Sequence, residues 1–125
     1  MDFQLHNTGK NHSIKSVSSA GIQIGDNLFK SSILLTADTI EPLETINSLA
    51  DISNQLLEGI IVKHPAVILI GTGKQPQRAT EKQSLDWQNA GIGIEIMDTP
   101  AACRTFNLLM SEDREVAAIL MAPGL

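Results

Sequence analysis

The residue types that could support chemistry begin with a glycine-rich turn, Gly71, Thr72 and Gly73, which follows an apolar run. A dinucleotide-binding fingerprint needs a third glycine three residues later, and the chain has Pro76 there. A phosphate-binding loop needs Ser or Thr after its Gly-Lys pair, and the chain has Gln75 there. These two positions exclude both nucleotide-binding motifs.

Two interpretations of the glycine turn remain. Open α/β sheets place ligands at the carboxyl ends of their strands, so the amides of residues 71–73, with Lys74 or Arg78, could hold an anion. Alternatively, the glycines satisfy a tight turn whose backbone angles other residues adopt only at a cost. We favour the conformational interpretation and keep the anion site as the alternative.

Cys103 is a candidate nucleophile because it stands in the first turns of a predicted helix, beside Arg104. A helix N-terminus and a guanidinium group both lower the pKa of a thiol. A nucleophile also needs a base within reach, and the three histidines (His6, His12 and His64) are far away in sequence. We therefore predict a buried, structural thiol that packs with the apolar residues of its helix.

The densest polar group of the chain comprises Arg104, Asn107, Glu112 and Arg114. Arg104 and Asn107 are one helical turn apart and can share a face, where they could bind a carboxylate or the backbone of a partner. They could equally tie the helix to neighbouring loops through hydrogen bonds. We favour the structural role. The scattered histidines and the one cysteine match no zinc spacing, so the sequence predicts no metal and no cofactor.

Composition limits the classes of partner. The 125 residues carry a formal net charge of −5, which argues against nucleic acid and anionic membranes as partners.

Apolar residues make up 42% of the chain, enough for one hydrophobic core, and we predict a single domain over residues 1–125. One cysteine suits a reducing compartment, and positions 1–12 lack the apolar stretch of a secretory signal. The expected location is therefore the cytoplasm.

The first part of the chain is β-rich. Short runs separated by turn residues predict strands over Ile14–Val17, Ile22–Ile24 and Leu28–Leu35. Helical spacing of leucine and isoleucine predicts a helix over Ile46–Leu57, which Gly59 would end.

The second part alternates strands and helices. The predicted order is a strand at Ala66–Ile70, a helix at Glu81–Ala90, a strand at Ile92–Met97, a helix over 100–110 and a strand at Arg114–Met121. Such a β-α-β-α-β order favours right-handed crossovers and a largely parallel sheet. With antiparallel N-terminal strands, the predicted fold is a three-layer α/β fold with a mixed sheet.

Capping residues mark the starts of the second and third helices. Thr80 and Gln83 have capping-box spacing at the second helix. Thr99 is the predicted cap of the third helix, with Pro100 at its first position. Asp98 is a further cap candidate that could also face a pocket, because it stands at the end of a strand.

The second half of the chain also carries a recognisable pattern. The run 69–73 is followed by Gly93–Thr99, then by 101–109, and then by Glu112, Arg114 and 116–118. In this pattern the chain resembles a domain-of-unknown-function family, and specifically a small bacterial member of it. The family includes the mitochondrial respiratory complex I assembly factor and an adipogenesis-associated protein. The resemblance implies a three-layer α/β fold with a mixed sheet, no established catalytic activity, and a binding role in at least one relative.

The sequence therefore predicts a non-enzymatic protein that binds or assembles another protein, with its oligomeric state open. The alternative is a protein that binds a small molecule or anion, with a site at Gly71–Gly73 and the start of the third helix. Trp87 is a predicted partner-binding residue, because it stands on a mostly polar helix away from the Leu85 face and tryptophan is enriched at binding hot spots. It could instead simply cover the edge of the sheet.

Overall fold

Two sheets and three α-helices make up the part of the chain that the computed structural model describes, residues 13–124. The strands are β1 (Ile14–Ser18), β2 (Gly21–Ile24), β3 (Asn27–Phe29), β4 (Ile33–Leu35), β5 (Ile40–Pro42), β6 (Val67–Gly71), β7 (Gly93–Met97) and β8 (Val116–Leu120). The helices are α1 (Asn54–Ile61), α2 (Glu81–Asn89) and α3 (Thr99–Ser111).

Strands β1, β2 and β3 form a small antiparallel sheet. The other five strands form a second sheet in the order β5-β4-β8-β6-β7. Strand β6 pairs in parallel with both β7 and β8, whereas β4 is antiparallel to β8 and β5. The prediction of a mixed sheet is therefore confirmed. Of the N-terminal strands, only the β4–β5 hairpin joins the large sheet.

Two hydrophobic clusters lie on opposite faces of the large sheet. Strands β6 and β8 are buried along their whole length, as expected for strands covered on both faces. Val67 and Leu69 belong to the cluster that includes residues of α3 and the small sheet, and Ile68 and Ile70 to the cluster that includes residues of α1 and α2. This alternation separates the layers of the predicted three-layer fold.

The prediction of one strand over Leu28–Leu35 is wrong. Strands β3 and β4 are separate and belong to different sheets. Between them, the buried Ser32 donates its hydroxyl to the Ile46 carbonyl at 2.6 Å, and its own carbonyl accepts from the Leu43 amide at 2.7 Å. These bonds draw the chain from one sheet to the other, and β4 continues into a hairpin with β5 that was not predicted.

The prediction of a helix over Ile46–Leu57 is also wrong in its bounds. The carboxylate of Asp51 accepts from the Asn47 and Ser48 amides and caps a single 3-10 turn, Leu49–Asp51, which ends at Ile52 because that residue is extended. Helix α1 begins later, where the Ser53 hydroxyl caps it by accepting from the Leu56 amide at 3.0 Å. It runs through Gly59 to Ile61, so Gly59 does not end it.

The second half follows the predicted β-α-β-α-β order. Helix α2 begins with the predicted capping box, in which the Gln83 amide donates to the Thr80 hydroxyl and the Gln83 side chain accepts from the Thr80 amide. After its end, Gly91 adopts a φ of 78°, the left-handed conformation typical of a glycine C-cap. Helix α3 then forms the crossover from β7, at the edge of the sheet, to β8 on the other side of β6.

Candidate functional site

The glycine turn lies where β6 ends, beside the start of α3 and the end of β8. The Gly71 carbonyl accepts from the Met121 amide at 2.9 Å, which joins the turn to the residue that follows β8. The Thr99 amide donates to the Gly73 carbonyl at 2.8 Å, which joins it to α3. The structure thus brings Gly71, Thr72 and Gly73 to the helix start, as the candidate site required.

Packing explains both glycines. A Cβ atom on Gly71 would lie 2.9 Å from the Thr99 Cα, closer than real Cβ atoms approach backbone, and in a tight contact of 3.0 Å with the Ala102 Cβ. Gly73 has a φ of 92°, which is strained for any residue with a side chain. Close approach at one position and backbone angle at the other favour the conformational interpretation of the turn.

The amides of the turn already have partners. The Thr72 amide donates to the Met97 carbonyl at 2.9 Å, and the Gly73 amide donates to the Thr99 hydroxyl at 2.7 Å. Neither is free for an anion. What remains at this edge is a cavity of about 300 Å³, lined mainly by polar residues that include Lys74 and Gln77.

Asp98, rather than Thr99, caps α3. The Asp98 carboxylate accepts from the Ala101 amide at 2.8 Å, and Pro100 consequently stands one position further into the helix than predicted. Thr99 is fully buried and bonds in two directions, because its hydroxyl accepts from Gly73 and donates to the Met121 carbonyl at 2.6 Å. Sequence reasoning missed this bridge, since both its partners are distant along the chain.

Cys103 lies in the core between α3 and the sheet, 4% exposed. Burial raises the pKa of its thiol to about 12, and the nearby Arg104 charge offsets only part of that rise. A thiol with this pKa is protonated at neutral pH and is a poor nucleophile. Of the three histidines considered as a base for Cys103, His64 is exposed after α1, and His6 and His12 lie outside the described residues. The geometry supports the structural interpretation of Cys103.

The predicted polar group of Arg104, Asn107, Glu112 and Arg114 does not act as a unit, and only Arg104 and Asn107 lie within α3. The Asn107 side chain accepts from the Ile14 amide and donates to the Ile14 carbonyl, both at 2.9 Å, so it pairs with β1 as a neighbouring strand would. Arg104, Glu112 and Arg114 are exposed. The structural role is therefore observed for Asn107, and the four residues do not converge on one site.

Trp87 is buried, and its prediction as a surface residue is wrong. It is 6% exposed and belongs to the cluster between the sheet and helices α1 and α2, whereas Leu85, on the other side of α2, is 59% exposed. Within residues 13–124 the buried Trp87 indole nitrogen has no hydrogen-bond partner. The polar composition of α2 misled the prediction, because one large aromatic ring is enough to anchor a short helix.

One large cavity in the described part of the chain was not predicted. We call it the α1 groove: it has a volume of about 510 Å³ and lies between α1 and the β4–β5 hairpin. Its lining includes apolar Leu34, Leu56 and Ile60, and acidic Asp38, Glu41 and Glu115. Its residues come from segments far apart in sequence and form no motif, so periodicity could not reveal it. The same residues 13–124 contain no cluster of side chains suited to a metal ion.

Residues 14–121 match the profile of the family described as "Protein of unknown function (DUF498/DUF598)". A relative from Mus musculus, called NADH dehydrogenase (ubiquinone) 1 alpha subcomplex assembly factor 3, is 31% identical over 113 residues, which cover 88% of this chain and 60% of the relative. This chain thus spans less than two thirds of that relative's length. A relative from Francisella tularensis, called 13 kDa major membrane protein, is 30% identical over 89 residues, 71% of this chain and 72% of the relative.

A solved structure shows a similar fold. The solution structure of a Xanthomonas campestris protein superposes with a TM-score of 0.78 at 28% identity, and the match covers 90% of this chain and 85% of that one. One relative is named as a membrane protein, yet within residues 13–124 every helix is too short or too polar to cross a bilayer.

Proposed function

We propose, from the premise that this chain belongs to the DUF498/DUF598 family of proteins of unknown function, that it binds a protein partner in the manner of an assembly factor. One observation carries the proposal: the relative that covers 88% of this chain is named as an assembly factor. An assembly factor acts by holding another protein, so its shared domain needs a recognition surface.

The site geometry supports binding over catalysis. A catalytic site would need a nucleophile with its base, or hydrogen-bond donors aimed at a reacting atom. Here Cys103 is buried with a raised pKa, and the hydroxyl of Thr99 is fully used in bonds to backbone. Gly71, Gly73 and Asn107 are explained by packing and hydrogen bonding within the fold, and the proposal therefore looks to the outer surfaces for function.

Capture from native lysate tests the proposal. The tagged chain is expected to retain one protein in a fixed ratio, and calorimetry with that protein, once purified, should give saturable binding. A metabolite screen provides the opposing result. If a substrate is turned over, and turnover disappears in Arg104→Ala while the unfolding midpoint is unchanged, the chain is an enzyme and the proposal is wrong.

The competing hypothesis is an anion or small molecule bound at Gly71–Gly73. The polar cavity of about 300 Å³ beside Lys74 is its support. Titration with inorganic phosphate, followed through the amide signals of the turn, separates the two hypotheses. Saturable shifts that are lost in Lys74→Ala would favour the anion site.

We also propose a cytoplasmic location. The support is the single, buried and unpaired cysteine, which needs no oxidising compartment. Fractionation of cells that express the full chain is expected to leave it in the supernatant after the membranes are pelleted. Retention in a salt-washed membrane pellet would contradict this location.

A further inference from the structure

We infer that β7 is the surface on which the partner docks, by accepting an extended segment of another protein as a sixth strand of the large sheet. The inference rests on the proposed partner-binding function and names its surface. Among residues 13–124, strand β7 is the last strand on one side of the sheet, and β5 is the last on the other. An outermost strand can pair with an incoming segment through its backbone groups.

The two outer strands differ in their capacity to pair. Strand β5 has three residues and ends in Pro42, which has no amide proton to donate. Strand β7 has five residues, contains no proline and pairs with β6 in an unbroken register from Gly93 to Met97. Proline and short length protect the β5 edge from pairing with another strand. The β7 edge has neither feature.

Hydrogen bonding shows which groups of β7 face outward. The Met97 carbonyl accepts from the Thr72 amide on the β6 side. Because successive residues of a strand direct their backbone groups to opposite sides, Glu95 also faces β6, and Ile94 and Ile96 present their amides and carbonyls to the free edge. An incoming strand would therefore find donors and acceptors at regular two-residue spacing.

Side chains next to this edge are suited to an apolar contact. Ile94 and Ile96 are half-buried, although every residue of the neighbouring β6 is buried. Together with Trp87, Ile92, Ser84 and Gln88 they line a cavity of about 210 Å³ between the strand and α2. Branched aliphatic side chains of an added strand would extend the packing of these isoleucines and fill that cavity.

Charge selects the kind of segment. Glu95 is exposed at the centre of β7. If two copies of this chain paired antiparallel over all five residues, Glu95 would lie opposite Glu95, and like charges directly opposite are unfavourable. The net charge of −5 on each copy adds to this repulsion. The occupant is therefore a segment of a different protein, with Lys or Arg opposite Glu95 and β-branched residues on either side.

A synthetic peptide tests the surface with the full chain. The probe is acetyl-Ser-Thr-Val-Lys-Val-Thr-Ser-amide, titrated to millimolar concentration against the isotope-labelled protein. The amide signals of Ile94 and Ile96 are expected to shift, and their hydrogen exchange to slow. Glu95→Lys should weaken binding about five-fold, and a peptide with Glu in place of Lys should show the reverse preference. Glu44→Lys, the same charge change in an exposed loop, is the matched control and should bind as the original does.

Several results would overturn the inference. These are an absence of shifts at Ile94 and Ile96 up to millimolar peptide, shifts confined to the α1 groove, and equal affinity of Glu95→Lys for both peptides. Concentration-dependent self-association that protects the β7 amides would show that the occupant is a second copy. The captured partner separates this inference from the proposed function. If Glu95→Lys retains that partner undiminished, the surface is wrong and the function stands; if neither form captures a protein, the function itself fails.

Discussion

Replacing Thr99 by Val tests whether the hydroxyl bridge holds the candidate site together. Valine has nearly the shape of threonine and the same branching at Cβ, so packing and helix propensity change little. The substitution removes the acceptor of the Gly73 amide and the donor to the Met121 carbonyl. Both residues are buried, so the substitution leaves each of these polar groups without its protein partner inside the fold.

The magnitude follows from the two groups left without partners. Each buried, unsatisfied backbone group costs about 1–3 kcal/mol, so Thr99→Val should lower the free energy of unfolding by about 3 kcal/mol. Thr99→Ser is the matched control. It keeps the hydroxyl and loses one buried methyl group, at a cost of about 1 kcal/mol.

Urea denaturation measures the difference. With a slope of about 2 kcal/mol per molar urea, the two variants should differ in midpoint by about 1 M, with unchanged slopes. If the urea midpoints of Thr99→Val and Thr99→Ser lie within about 0.2 M of each other, the Thr99 hydroxyl contributes no net stability and the bridge explanation is refuted.

Further predictions concern the glycines, the thiol, the indole and the amide on α3. Gly71→Ala should lower the free energy of unfolding by about 2 kcal/mol, because its Cβ would meet backbone. Gly59→Ala should raise it by up to about 1 kcal/mol, because Gly59 is a helical residue of α1 and no atom lies within 4 Å of the added Cβ. The urea midpoints of the two variants measure both changes. Cys103 should react slowly with iodoacetamide at neutral pH. Because its pKa is raised on folding, the unfolded thiol loses its proton first, so stability relative to Cys103→Ala should fall as pH rises above about 9. Trp87→Ala should cost about 3–5 kcal/mol, and a variant with an unchanged melting temperature would show that the ring is not core. Asn107→Ala should speed hydrogen exchange in β1 before it affects the large sheet, because it removes both bonds to Ile14.

The second half of the fold could be predicted because its signals are local. The apolar run before Gly71 is long enough to identify a buried strand, and the Thr80–Gln83 capping box fixes the start of α2. Each of these features depends on residues within one turn or one strand of each other. The predicted β-α-β-α-β order therefore agrees with the structure.

The first half was predicted less well because distant bonds override its local pattern. The predicted strand over Leu28–Leu35 runs through Ser32, and the bond from this residue to the distant Ile46 accompanies the break between β3 and β4. The spacing of Leu49 and Ile52 suits a helix, yet Ile52 adopts extended backbone angles that end the turn. The Leu49 amide and carbonyl bond to the distant side chains of Gln77 and Gln83. Such contacts are not visible in a hydrophobic pattern.

The candidate site illustrates the same division. That Gly71 and Gly73 are needed for backbone geometry could be inferred, since glycine after a strand is a local signal. The bridge through Thr99 and the pairing of Asn107 with Ile14 could not, because 93 residues separate the latter two along the chain. The surface of β7 also follows only from strand order, which the sequence does not encode locally.

The central position of β8 has a consequence for how the protein folds during its synthesis. A ribosome makes β4 and β6 early, but the strand that lies between them is made after all the others described here. Until Leu120 has left the exit tunnel, the two halves of the large sheet have no shared neighbour. Folding during translation must therefore wait for the end of this segment, and a message cut short before Val116 should yield a product that proteases remove.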